Sequence, residues 1–198
     1  MCGFVGFTGQ LAQGESVLKN MMDAIIHRGP DSAGTHIDEN ISLGFRRLSI
    51  IDLDSGTQPM YNETGDIVIV FNGEIYNYQE LREELINKGH VFSNNADTEV
   101  LIHGYEEYGE DLLKRLRGMF AFVIWDSKKK KLFGARDFFA IKPFYYAVVD
   151  GQLVFASEIK SILMYTPYKK EMNKDALENY LTFQYSVDRK STRLNSSH

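Results

Sequence analysis

Met1-Cys2-Gly3-Phe4-Val5-Gly6-Phe7 opens the chain, and everything after it is read against this start. From Cys2 to Phe7 the run is short, apolar and β-prone. From Glu15 to Ile26 the period changes, because Val17, Met21, Met22, Ala24 and Ile25 recur at helical spacing. A strand feeding a helix is therefore expected. The segment His27 to Gly34 reads as a polar loop, and strands are expected over Ile41 to Ile51 and Ile67 to Phe71, with the Gly- and Pro-containing stretch Asp52 to Gly65 between them.

Asn77 with Glu80 three residues on has the pattern of a capping box, Leu81 and Leu85 give its helix a buried stripe, and Gly89 ends it. A second helix is expected from about Thr98 to Tyr108. Strands follow at Met119 to Asp126, Lys131 to Arg136, Phe144 to Val149 and Leu153 to Ala156. Ser157 is placed to cap a helix through Met164, and Asn173 another through Leu181. Strands clustered between helices, with hairpin spacing late in the chain, predict mixed α and β structure with largely antiparallel sheets that helices cover.

The 198 residues, 43% hydrophobic and 13% aromatic, suffice for one large domain. A net charge of -5 gives no electrostatic reason to expect a nucleic-acid partner, because a phosphate backbone selects clustered Lys and Arg, and the lysine run Lys128 to Lys131, between two apolar runs, reads as a solvated hairpin turn. No apolar stretch reaches the length of a membrane span and no secretory signal opens the chain, so a soluble, cytoplasmic protein is expected, with no membrane partner. One cysteine cannot form an intrachain disulfide. The last eleven residues, Asp188 to His198 (DRKSTRLNSSH), are polar and aperiodic. They match one reading frame of a common sequencing adapter beginning GATCGGAAGAGC. The expected domain is therefore residues 1–187, with 188–198 a disordered, adapter-derived tail and the natural chain continuing past Val187.

A lone cysteine is usually a small buried hydrophobe. Position two changes that reading, because removal of Met1 leaves Cys2 with both a thiol and a free α-amine. In model compounds these groups titrate near about 8.5 and about 8, so an amine can take the thiol proton and one residue can be nucleophile and base together. Asn72-Gly73 reads from local sequence as a hairpin turn or as a pair of donors for an oxyanion. Arg46 and Arg47 point to opposite faces of an alternating strand, so only one of them lines a pocket there. Asp97 stands where a helix N-cap belongs. His90 and His103 lie in or beside helical segments with no cysteine or carboxylate cluster around them, so no metal site is expected.

The words Met1-Cys2-Gly3-Phe4-Val5-Gly6, His27-Arg28-Gly29-Pro30-Asp31-Ser32-Ala33-Gly34, Arg46-Arg47-Leu48-Ser49-Ile50-Ile51-Asp52, Gln58-Pro59 and Phe71-Asn72-Gly73-Glu74-Ile75-Tyr76-Asn77 resemble, in order and spacing, class II glutamine amidotransferases of the asparagine synthetase branch. The likeness continues through Leu116 to Phe122, Gly134 to Asp137, Lys142-Pro143 and Phe155 to Glu158. It implies the N-terminal-nucleophile fold: an α+β, four-layer αββα sandwich of two stacked antiparallel sheets covered by helices.

The resemblance further implies that Cys2 attacks the side-chain amide of L-glutamine, with the Asn72 side chain and the Gly73 N–H holding the oxyanion. Arg47 and the backbone of Leu48, Ser49, Ile50 and Ile51 would take the substrate carboxylate, and Glu74 and Asp97 its ammonium. Arg28 and Asp31 would position the N-terminal residue. His27 is not needed as a base. No cofactor is implied for this domain, whereas ATP and Mg2+ would serve a C-terminal synthetase domain that receives the ammonia and makes asparagine. A homodimer is compatible with the resemblance. Other class II amidotransferases, acting on surface-glycan or amino-sugar precursors, and a catalytically silent regulatory domain remain the alternatives.

In one segment the chain departs from the family pattern: Arg136-Asp137-Phe138-Phe139-Ala140-Ile141-Lys142-Pro143 carries Ala140 where relatives place glycine. If that backbone position has a positive φ, alanine adds strain there.

Overall fold

The computed structural model describes residues 2–48, 57–172 and 174–184. Among them are the strands β1 (Gly3–Thr8), β2 (Ser32–Ile37), β3 (Ile41–Arg47), β4 (Met60–Tyr61), β5 (Ile67–Ile75), β6 (Gly118–Asp126), β7 (Lys131–Arg136), β8 (Tyr145–Val149) and β9 (Gln152–Ala156). The helices are α1 (Gly14–Asp23), α2 (Tyr78–Asn87), α3 (Asp97–Tyr108), α4 (Ile159–Ile162) and α5 (Lys174–Phe183). One sheet has the order β2-β3-β1-β9-β8 and the other β4-β5-β6-β7, with antiparallel pairing throughout.

The two-residue period of a strand sorts the side chains into three apolar interiors. Val5 and Phe7 of β1 pack with Val17, Leu18 and Met21 of α1 and Ile162 of α4. Phe4 points the other way and, with Ile41, Leu43 and Phe45 of β3, meets Val68, Val70, Ala121 and Val123 of the second sheet. From that sheet's far face Ile69, Phe71, Phe122 and Ile124 pack against Leu81, Leu85, Leu101 and Tyr105 of α2 and α3. Three interiors separate four layers, helix–sheet–sheet–helix, and the expected α+β sandwich is what the chain builds.

Several local readings change. Ser32–Ile37 is an edge strand, so the expected loop ends before Ser32 and not at Gly34; most of the strand's side chains are exposed, so no buried face marked it. Helix α1 stops at Asp23, short of Ile26, and a 3-10 turn over Ile26–Arg28 follows. Asn77 does occupy the N-cap of α2, but its side chain makes no capping bond. Its Nδ2 donates to the Arg115 carbonyl (2.9 Å) and its Oδ1 accepts from the Arg117 N–H (2.9 Å), which ties the helix start to the approach to β6. Ser157 is likewise not a cap: its hydroxyl accepts the Phe4 N–H at 3.0 Å, and Glu158 holds the N-cap position of α4. The lysine run turns the hairpin from β6 to β7, as expected. The proposed Asn173 cap and the tail 188–198 lie outside the described residues.

Ala140 has φ 57°, in the left-handed region. Its loop folds around Asp137, whose buried carboxylate accepts the N–H groups of Phe120 (3.3 Å), Ile141 (2.9 Å) and Lys142 (3.0 Å). Burial by itself raises this carboxyl, but the three backbone donors outweigh it and hold it below the ordinary range. The loop conformation is thus imposed by a strong local demand, and Ala140 carries the strain. A left-handed L-residue costs about 1–2 kcal/mol, of which the greater unfolded freedom of glycine offsets about 0.5–1. Ala140→Gly is expected to stabilise the protein by about 0.5–1 kcal/mol, read as a rise of about 1–4 °C in Tm by thermal denaturation.

Candidate active site

The alternation that builds the core also aims the polar residues at its end. Just before β1, Cys2 continues the row of Phe4, and it packs against the interior between the sheets. In β3, Arg46 reaches outward, its Nε donating to the Met22 carbonyl (3.3 Å) and its Nη2 pairing with Asp23. Arg47, next along, falls with Phe45 on the inner face. In β5, Asn72 and Glu74 continue the inward row of Val68 and Val70.

Two contacts fix which ends of the sheets meet. Trp125, opposite Val68, donates its indole N–H to Asp38 (2.7 Å), just before the Ile41 end of β3 and far from Arg47. Nearer the other end, buried Gln58 brackets the Phe71 backbone, donating to its carbonyl (3.1 Å) and accepting its N–H (2.6 Å). The Gln58 carbonyl lies so close to Gly34 of β2 that a Cβ there would sit 2.1 Å away. Gly34 pairs with Phe45, so Phe71 is held over Phe45, and the next inward residues on each strand, Asn72 and Arg47, share the end occupied by Cys2.

The Cys2 sulfur lies against Leu48: the Leu48 N–H donates to Sγ at 3.4 Å, and the thiol faces the Leu48 carbonyl at 3.8 Å. The Cys2 carbonyl accepts from Arg28 Nε at 3.0 Å. Arg28 is in turn braced by Glu158, which its Nη1 meets at 3.0 Å. His27 also points to Glu158 (2.9 Å), and Lys160 lies 3.2 Å from it. Burial raises the Glu158 carboxyl, but these three partners outweigh it and hold it below its ordinary value. Glu158 has no part that the sequence shows, because nothing in local spacing reveals that it braces Arg28 across 130 residues. Asp31 is placed differently from Arg28: its backbone N–H donates to the Arg47 carbonyl (3.2 Å), which aligns β2 with the end of β3.

Asn72-Gly73 is not a turn. Both residues lie inside β5, opposite Ala121 and Phe120. Gly73 does not need positive φ; it is required because a Cβ would stand 2.3 Å from the Met119 carbonyl of the neighbouring strand. Asn72 is 3% exposed, and its Nδ2 has no hydrogen-bond partner. A buried donor left unpaired costs about 1–3 kcal/mol, so this amide is prepared for an acceptor that the protein itself does not supply.

Asp97 is the first residue of α3, with Ala96 at the N-cap, and its Oδ2 accepts the Ile75 N–H at 2.9 Å. Burial, aided by the charge of Glu74, raises its carboxyl above the ordinary value, against the pull of the Ile75 N–H. Two carboxylates that disfavour one another make a site that welcomes a cation. The folded chain holds the Asp97 proton more tightly than the unfolded chain, so as pH rises from near the ordinary value of 3.8 through the raised one, stability falls. Asp97→Asn keeps an acceptor for Ile75 and removes the buried charge. It is expected to leave the ligand-free protein at least as stable at pH 7 by thermal denaturation, and to raise KM for an ammonium-bearing substrate about tenfold or more in steady-state kinetics.

Ser49, Ile50 and Ile51, expected on the substrate carboxylate, lie outside the described residues. The histidine reading is corrected: folding surrounds His103 with Glu63, Glu99 and Glu106 and brings His90 alongside. Glu99 and Glu106 are four before and three after His103 on α3, a signal that was visible in the sequence.

Known proteins resemble the chain in sequence and in fold. The chain is 50% identical over 190 residues to the glutamine-hydrolyzing asparagine synthetase 1 of Bacillus subtilis (strain 168), covering 93% of this chain and 30% of that protein. It is 39% identical over 188 residues to the glutamine-hydrolyzing asparagine synthetase of Zea mays, covering 92% of this chain and 30% of that one. The chain thus spans about 30% of the length of these relatives. In structure it is similar to the glutamine phosphoribosylpyrophosphate amidotransferase of B. subtilis complexed with ADP and GMP, with a TM-score of 0.70 at 20% identity, over 86% of this chain and 45% of that one. That likeness is one of fold, and it is the fold expected of an N-terminal-nucleophile enzyme. Residues 1–196 match the glutamine amidotransferase domain, and the chain belongs to that family.

Proposed function

We propose that this chain, once Met1 is removed, hydrolyses L-glutamine to glutamate and ammonia through a thioester on Cys2. The observation that carries the reading is the buried, unpartnered Asn72 amide at the same end of the inter-sheet space as the Cys2 thiol. The Cys2 α-amine takes the thiol proton, and the sulfur adds to the side-chain carbonyl of glutamine. The new oxyanion accepts hydrogen bonds from Asn72 Nδ2 and the Gly73 N–H, donors that are fixed in place and need no reorganisation. The tetrahedral species collapses, the C–N bond breaks, and the proton held on the α-amine leaves with the nitrogen as ammonia. Water then adds to the thioester, and glutamate departs as the thiol is restored.

Arg47, on the inner face beside Cys2, and the backbone of Leu48 to Ile51 receive the substrate α-carboxylate, and Glu74 and Asp97 receive its ammonium. Arg28, bonded to the Cys2 carbonyl, sets the direction of the N-terminal residue.

In the full-length protein the ammonia serves a C-terminal synthetase domain that makes asparagine from aspartate with ATP and Mg2+; neither is needed in this domain, which is residues 1–187. The identity to asparagine synthetases supports this branch over other amidotransferases. The exposed apolar side chains of Phe138, Phe139 and Ile141 are surface that such a domain would cover. We place the protein in the cytoplasm; among the described residues no helix is long and apolar enough to cross a membrane.

The test is coupled detection of ammonia and glutamate from L-glutamine by the full 198-residue chain, beside a reaction containing aspartate, ATP and Mg2+. Equal amounts of ammonia and glutamate, with no asparagine, are expected. Absence of glutamine turnover by protein that begins at Cys2 rejects the reading.

A further inference from the structure

The outer helical layer carries a second cluster that the glutaminase chemistry does not use. His103, on α3, has a side chain only 2% exposed. The chain leaves α2 through Gly89 (φ 99°) and brings His90 back over it, with the two imidazole centroids 5.1 Å apart. Glu106 Oε2 lies 2.9 Å from His103 Nδ1 and 3.6 Å from His90 Nδ1. One donor atom from each of these three residues falls within 4.8 Å of the other two. Ligands about 2.0–2.1 Å from a tetrahedral zinc ion stand about 3.3 Å apart, so the two shorter separations already bracket what such an ion needs.

We propose that His90, His103 and Glu106 form a binding site for a divalent transition metal of the zinc class, with the fourth position open to water. Two imidazoles and one carboxylate are a donor set suited to zinc and cobalt and poorly suited to magnesium or calcium, which take oxygen ligands. What lies behind the ligands supports the assignment independently, because metal-bound histidines ordinarily offer their second nitrogen to a carboxylate. His90 Nε2 is 3.4 Å from Glu107 Oε2. His103 Nε2, buried and without a hydrogen bond, faces Glu99 and Glu63 at 3.7 Å each. The second oxygen of Glu106 accepts from Asn62 Nδ2 at 2.8 Å.

A proton shared between His103 and Glu106 accounts for the 2.9 Å contact alone. It gives no role to His90 on the same oxygen. Four carboxylates surround two imidazoles, and Lys88 is the cation that meets one of them, Glu107, at 2.7 Å. A dication at the centre offsets most of that charge.

Cobalt titration of the full chain, untagged and carrying Cys2→Ala so that no thiolate competes, tests the site. The visible d–d absorption of four-coordinate cobalt is expected to rise to one equivalent per chain and to disappear on adding zinc. His90→Gln and Glu106→Gln are expected to weaken binding about tenfold or more. Both replaced side chains are partly solvated, and circular dichroism checks that the variants fold; His36→Gln, on β2, leaves the titration unchanged. No absorption at millimolar cobalt overturns the proposal. So does binding that His90→Gln and Glu106→Gln leave intact.

Discussion

Cys2→Ala protein is expected to release ammonia from glutamine at least about a thousandfold more slowly than the parent, because loss of a covalent nucleophile removes the reaction path and not one contact in it. The alanine keeps the α-amine, Arg28 still meets the residue-2 carbonyl, and Asn72 and Arg47 are untouched. Glutamine binding should therefore persist while turnover stops. Cys2 is half-buried and, among the described residues, its sulfur hydrogen-bonds only through the long contacts to Leu48, so the melting temperature is expected to shift little. Single-turnover mass spectrometry adds the positive evidence: parent protein mixed with glutamine gains the mass of a glutamyl group, and the alanine protein does not. Ammonia release at the parental rate by the variant would assign the chemistry to some other group.

The second large effect belongs to Asn72. Removing one preorganised oxyanion donor costs about 2.7–4 kcal/mol of transition-state stabilisation, so Asn72→Ala is expected to lower kcat about 10²–10³-fold with KM within a few-fold of the parent. Stability separates this role from a structural one. An amide that braces the fold leaves its partners unsatisfied when it is removed, whereas the Asn72 Nδ2 has no partner to lose, and its removal relieves a buried, unpaired donor. The variant should lose far more catalysis than stability, by paired kinetics and thermal denaturation. Unimpaired kcat with a large fall in Tm contradicts the assignment.

What the sequence made legible was whatever repeats at short range. The short apolar, β-branched run Ile67 to Phe71, helical spacing in Val17 to Ile25 and the hairpin at Lys128 to Lys131 located most of the strands and helices to within a few residues. The separation of Arg46 from Arg47 followed from the same rule. What failed was decided by distant partners. Asn77 and Ser157 have the right chemistry for helix caps, yet bond to Arg115, Arg117 and Phe4, because the fold presents unpaired backbone groups there. Edge strand β2 has little buried surface and so no periodic signature. Asn72-Gly73 looks locally like a turn, and only the pairing with Ala121 and Phe120 shows that it lies mid-strand.

The strain at Ala140 was legible because a departure from a motif points to one backbone angle, and that angle is 57°. Of the histidine cluster, the spacing of Glu99 and Glu106 about His103 was legible, whereas Glu63 and His90 reach His103 only after the chain has folded back on itself.

The most direct test is the dependence of glutaminase activity on the first residue. Protein prepared with Met1 retained, and the same protein after treatment with methionine aminopeptidase, are compared by intact mass and by ammonia release per chain. Activity is expected to rise in proportion to the fraction of chains that begin with Cys2 and to extrapolate to zero for chains that keep Met1, because an acylated nitrogen cannot accept the thiol proton. Equal turnover by the Met1-bearing protein would contradict the account.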